Sequence, residues 1–309
     1  MIGTVVRVVV GSALVAALSA PDVARGAFGV GVLRRDGVII PFATFDGKRW
    51  RNSWPLPQLE LTVPVNVDSV PSRWWGPTGP LDAWQAWIGG AAHALRVAQP
   101  DWVNVHCARH IGLRTDYRAA GVAPPPTAQP YPKDGIAVAP PQAVEAIEIV
   151  PSEAPATRQV VRALQAAFNR AERETASRYG HPIKPRARDG VEPIIERMYG
   201  FGEVPRVLYV EAVRAYRKLG QDADDCTVAF GTGWFVQEGD VFRSLAMTVD
   251  LLDCARRQAS YMLPLGAIRA AGRLFWLAQF SGWDHERYVV IEITPKQVEA
   301  LVSVWGGGC

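Results

Sequence analysis

Gly31-Val-Leu-Arg-Arg-Asp-Gly37-Val-Ile-Ile-Pro-Phe-Ala-Thr-Phe-Asp-Gly47 is matched without gaps by Gly266-Ala-Ile-Arg-Ala-Ala-Gly272-Arg-Leu-Phe-Trp-Leu-Ala-Gln-Phe-Ser-Gly282, with six of seventeen positions identical. In both, the second glycine follows the first by six residues and is succeeded by a run of branched and aromatic residues. A tight hairpin turn needs positive φ, which glycine adopts freely, and Asp36-Gly37 is a dipeptide that such turns favour. A third stretch, Gly233-Trp-Phe-Val-Gln-Glu-Gly239-Asp-Val-Phe-Arg, keeps the spacing. The sequence therefore predicts three antiparallel hairpins. Unequal intervals between the copies favour ordinary hairpins over a duplicated unit.

Working outward, β-prone composition predicts further strands at 58–67, 103–107, 207–216, 247–252 and 288–293. The segments 84–88 and 94–97, split by Gly89-Gly90, read as another hairpin. Residues 156–179 form the one long amphipathic helix: Val160, Val161, Leu164, Phe168 and Ala171 share a face, Pro155 precedes it and Gly180-His-Pro182 ends it. A shorter helix is predicted at 294–304. Seven prolines between Gly121 and Pro141 predict a stiff connector without a central strand or helix, and 181–206 reads as a second long surface segment. The fold class is α+β, mainly β: antiparallel hairpin meanders arranged as a sandwich, barrel or propeller, with one long helix and long Pro-rich loops. Residues 28–309 are expected to form one domain with 121–141 inserted, the alternative being a domain boundary near 121–141.

The chain has 309 residues, 49% hydrophobic and 20% charged, with mean hydropathy +0.02, which excludes both a disordered polymer and a multi-pass membrane protein. A net charge of +3 gives no reason to expect nucleic acid. Residues 1–20 carry one charge, Arg7, before an apolar run that ends in the small residues Ala17, Ser19 and Ala20. That layout predicts a signal peptide, and the run is too short to cross a bilayer. The mature chain is thus expected to be secreted or periplasmic, with no transmembrane span after signal removal. Its four cysteines favour disulfides in such a compartment. Cys226 and Cys254 would meet across a hairpin turning at Glu238-Gly239 if a bulge lay at Gly231-Thr-Gly233, leaving Cys107 to Cys309.

Chemistry-bearing motifs are sparse. His106-Cys107-Ala-Arg-His110 is the one His/Cys cluster, but alternate strand residues face opposite ways and no other cluster supplies the remaining ligands. No metal or cofactor is expected, and the two histidines read as partly exposed. Asp222-Ala-Asp224-Asp225 lacks the glycine and glutamate of a calcium loop. Asp284 and Glu286 flank His285 at a strand edge, with Arg287 placed to neutralise one of them. Two carboxyls on one face, beside Trp283 and Tyr288, form the weak candidate for hydrolysis of polysaccharide. Eleven tryptophans are present, six of them between Trp50 and Trp87. Indoles fill β-rich cores, and when exposed they stack on sugar rings. The binding reading takes Trp50, Trp54, Trp74, Trp75, Trp283 and Tyr288 as the ligand-binding set. On this reading the chain is a non-catalytic binding or structural protein of the envelope or extracellular space, its partner a polysaccharide or an envelope protein. The alternative is an extracellular hydrolase using Asp284 and Glu286.

Overall fold

The computed structural model describes residues 26–55, 71, 74, 83–125, 127–188, 190–216 and 226–309. The signal-peptide segment, the predicted strand at 58–67, Trp75 and the Asp222–Asp225 run lie outside the described residues. The fold is mostly β, 56% strand against 12% helix. Strands β1 (Phe28–Arg34), β2 (Val38–Phe45), β3 (Trp50–Arg51), β4 (Ala83–Ile88), β5 (Ala91–Val105), β6 (Ala108–Thr115) and β7 (Lys133–Ala139) build the first sheet. Strand β8 (Glu148–Ile149) leads to helix α1 (Pro155–Tyr179) and the single turn α2 (Pro185–Arg188). It then joins β9 (Ile194–Phe201), β10 (Val207–Tyr216), β11 (Thr227–Glu238) and β12 (Val241–Asp253) in the second sheet. Strands β13 (Tyr261–Ala270), β14 (Arg273–Ser281), β15 (His285–Ile293) and β16 (Val298–Gly308) make the third. All strand pairings among the described residues are antiparallel.

The first sheet runs β1-β7-β4-β5-β6-β2, and β1 also pairs with β2, so six strands close into a barrel-like sheet. One face carries Leu33, Ile39, Trp84, Leu95, Ile111 and Leu113 around Trp54. The other, with Val30, Val32, Ile40, Phe42, Val103 and Ile136, packs on Phe275, Leu277, Tyr288, Val290 and Val302 of the third sheet. The reverse face of that third sheet, with Trp276, Ala278, Val289 and Ile291, packs on Tyr199, Phe201, Tyr209 and Trp234 of the second. Helix α1 covers the far side of the second sheet. The third sheet is therefore a middle layer closed on both faces. That is why β14 and β15 read as continuous apolar runs, without the alternation a half-exposed strand shows. Each large apolar side chain buried this way contributes about 1.5–3 kcal/mol.

The three glycine-spaced hairpins are β1–β2, β11–β12 and β13–β14, with Gly37, Gly239 and Gly272 at φ +82, +65 and +74. The Gly89-Gly90 hairpin is β4–β5. Cys226 and Cys254 stand at disulfide distance, Cα to Cα 5.4 Å, as do Cys107 and Cys309 at 4.9 Å. The register that brings the first pair together differs from the predicted one. Glu238 pairs with Val241, so the turn is Gly239-Asp240, and the irregularity that restores the alignment falls after Trp234, opposite Leu245.

Four further expectations need correction. Residues 294–304 are not helical: a turn at Thr294–Gln297 reverses the chain, and 298–308 pair with β15, whose open edge overrides local helical preference. The Pro-rich segment contains β7, an interior strand between β1 and β4, because the prolines stop at Pro132 and resume only at Pro140. The surface segment at 181–206 contains β9, which pairs along β10. Val161 points outward from α1, 41% exposed, while Val160, Leu164, Phe168 and Ala171 are buried.

Candidate functional site

A cavity of about 550 Å³ opens where the three sheets meet. Tyr131 and Lys133, at the start of β7, supply one wall, Arg197 and Tyr199 of β9 a second, and Tyr261, Met262, Gln279 and Ser281 of β13 and β14 a third. The β12–β13 loop, Cys254 to Arg257, and the β14–β15 turn at Gly282-Trp283 form the rim. Trp283 is 69% exposed and lies under the Arg257 guanidinium, 5.4 Å from its ring centre. Arg197 lies likewise over Tyr261 at 4.9 Å. Turns hold both rim elements in place. Gly282 N–H donates to His285 O, Asp253 accepts from Arg256 N–H, and Arg256 is fixed by two contacts to Glu196 at 2.8 and 2.7 Å.

Behind the cavity wall sits a closed ionic group. Glu286 is fully buried, and its Oε2 accepts from Lys133 Nζ at 2.7 Å and from the Tyr288 hydroxyl at 3.0 Å. Lys133 Nζ also donates to Tyr131 O at 2.6 Å. His106 Nε2 stands 3.9 Å from Glu286 Oε1 without a hydrogen bond. Burial pushes the His106 imidazole below its usual range, with the Glu286 charge opposing. Burial also lowers Lys133, again opposed by Glu286. A second buried acid, Glu211 of β10, accepts from Met262 N–H at 2.6 Å and lies 3.9 Å from Arg197 Nη1. Burial raises its carboxyl to about 7, against the Met262 N–H and Arg197, which favour the charged form.

This geometry separates the residues that the sequence singled out. Trp283 lines the cavity, and Trp75 lies outside the described residues. Trp50 and Trp54 are 7% and 5% exposed and Trp74 is half-buried. Trp50 packs with Phe28, Phe45 and Phe275 between the first and third sheets, and Trp54 packs edge-on against Trp74. Trp50 and Trp54 are thus core rings and not a stacking platform, because sheet closure turns them inward. Tyr288 is buried too, facing the first sheet from the centre of β15. Asp284, in the turn, accepts from His285 Nδ1 at 2.8 Å and stays half-exposed, whereas Glu286 points into the protein. Arg287 contacts Ser303, so the counterion of Glu286 is Lys133. The histidines read as partly exposed have side chains closed from solvent, His106 at 2% and His110 in a fully buried site. Among the described residues no group of three or more His, Cys, Asp or Glu is placed to hold a metal.

Sequence reading passed over Lys133, Arg197, Glu211, Tyr261 and Arg257. One signal was present: in β10, VLYVEAVRAY, the charges fall at both parities of an otherwise apolar strand. Glu211 faces the third sheet, and Arg214 faces α1, where it pairs with Glu172 beside Tyr216 and His181. Charges on both faces of a buried strand demand partners on both sides. No family model, curated protein or solved structure matches this chain.

Proposed function

We propose that this chain is an exported, non-catalytic binding protein of the cell envelope or extracellular space, and that it takes a saccharide into the cavity where the three sheets meet. The observation that carries this reading is Trp283, a large indole left 69% exposed at the mouth of a roughly 550 Å³ concavity. An exposed aromatic face beside a cavity of that size suits stacking on a sugar ring. Two cysteine pairs at disulfide distance support an oxidising compartment, and no helix among the described residues is long and apolar enough to cross a membrane. Binding is favoured over hydrolysis because Glu286, one member of the acid pair, is buried against Lys133 and turned away from Asp284.

The test is tryptophan-fluorescence titration of the oxidised chain with fragments of envelope polysaccharides. Saturable quenching that disappears in Trp283→Ala and survives Asp284→Asn supports the reading. Fragment cleavage that disappears in Asp284→Asn overturns it in favour of the hydrolase.

A further inference from the structure

The walls and rim of the cavity hold four cations, Lys133, Arg197, Arg256 and Arg257, and no aspartate or glutamate. Net charge near neutrality says nothing about such a local imbalance, which concentrates anions at a concave, partly desolvated surface. Two of the four are already committed: Lys133 to Glu286 at 2.7 Å, and Arg256 to Glu196 through two short contacts. The other two are available. Arg257 has no carboxylate within ion-pair distance among the described residues and is exposed. Arg197 has one carboxylate near it, Glu211 at 3.9 Å, beside a side-chain contact to Tyr199, and its side chain is 51% exposed. The Arg257 guanidinium carbon lies 5.4 Å from the Trp283 ring centre, and that of Arg197 lies 4.9 Å from the Tyr261 ring centre. The cavity mouth therefore offers one exposed indole, Trp283, with the Arg257 fork of donors at its ring, and a second fork at Arg197, whose neighbour Tyr261 packs on Phe230.

From this arrangement we infer that the ligand is an acidic saccharide, its carboxylate held by Arg257 and Arg197 and its pyranose face laid on Trp283. A neutral sugar would leave the Arg257 guanidinium without an anionic partner in the bound state and Arg197 with Glu211 alone, at 3.9 Å. An anion lacking a flat apolar face would leave the indole uncovered. The inference rests on the saccharide-binding reading above and adds the charge of the ligand. Glu211, behind Arg197, competes for the same guanidinium when ionised.

Calorimetric titration of the oxidised full-length chain tests it, using galacturonic acid trisaccharide, galactose trisaccharide and monomeric galacturonate. The acidic trisaccharide is expected to bind at least about tenfold tighter than the neutral one. Arg257→Gln should weaken it by about tenfold, the loss expected for one charged hydrogen-bonding partner, and should weaken the neutral sugar by clearly less. Raising salt from 50 to 500 mM should narrow the gap between the two sugars. Equal affinity for acidic and neutral trisaccharides, with Arg257→Gln silent and Trp283→Ala damaging, overturns the acidic ligand and leaves saccharide binding standing. Absence of binding by either sugar overturns both. Monomer binding equal to that of the trisaccharide assigns the site to a free sugar acid, and tighter trisaccharide binding assigns it to a polymer; either sustains the inference. Circular dichroism of Arg257→Gln, an exposed rim position, verifies that the variant is folded.

Discussion

Lys133 Nζ stands 2.7 Å from Glu286 Oε2, across 153 residues of sequence, with both side chains closed to solvent. The pair ties the first strand position of β7 to β15 of the middle sheet, immediately behind the cavity wall. Taking two charges out of water is unfavourable, and their attraction offsets the penalty only while both are present.

Removing one partner should therefore be worse than removing both. Lys133→Met is expected to destabilise the chain by about 3–5 kcal/mol, since Glu286 is left buried without a counterion. Lys133→Met with Glu286→Leu should recover most of that loss. Chemical denaturation of the single and double variants decides the matter. A double variant no more stable than the single would mean that the pair does not act as a unit.

Two buried groups impose opposite pH dependences. Burial lowers His110 to about 4, the backbone bond to Ile111 opposing, so between roughly pH 6.5 and 4 the unfolded chain binds the extra proton and stability falls as pH falls. Glu211 is raised to about 7, so between roughly pH 4.5 and 7 the native state holds the extra proton and stability falls as pH rises. Glu211→Gln removes the second effect. Relative to the parent, this variant should show no gain from ionisation near pH 4.5 and a gain on the order of 3 kcal/mol above pH 7. Denaturation midpoints across pH 4–8 measure the gap, and a constant difference would refute the assignment.

Trp50 and Trp283 should part company under the same substitution. Trp50→Ala empties a site shared with Phe28, Phe45 and Phe275 and is expected to destabilise by about 3–5 kcal/mol. Trp283→Ala should change stability by no more than about 0.5 kcal/mol and remove saccharide binding. Thermal unfolding compared with fluorescence titration separates the two effects.

The cysteine pairs close loops of different length, with sequence separations of 28 and 202. On chain-entropy grounds, Cys226→Ser with Cys254→Ser should destabilise by about 3–4 kcal/mol and Cys107→Ser with Cys309→Ser by about 5 kcal/mol. Denaturation of the paired variants gives the ranking. Intact mass with and without reductant, after alkylation, should show four cysteines protected in the exported protein.

The hairpins were legible because their determinants are local. Gly37, Gly239 and Gly272 each supply the positive φ of a turn, and the runs beside them have nowhere to go but a buried sheet. Helix α1 was legible for the same reason, through its apolar face and terminal Gly180. The 294–304 segment was misread because pairing with β15, a tertiary event, outweighs local preference. Trp50 and Trp54 could not be told from Trp283 in the sequence because composition does not distinguish an inward indole from an outward one.

By itself the sequence determined the class of fold, the approximate positions of its main turns and the long helix, all of which follow from interactions within a few residues or one hairpin. Tertiary structure alone decided that the β13–β16 sheet is a middle layer, that Glu286 faces Lys133 and not solvent, and that Trp283 is the ring left beside a cationic hollow. Those outcomes depend on which faces of distant strands meet. Whether a charge is paired or a ring exposed is a property of the packed neighbourhood, and that neighbourhood is assembled here from segments up to 153 residues apart.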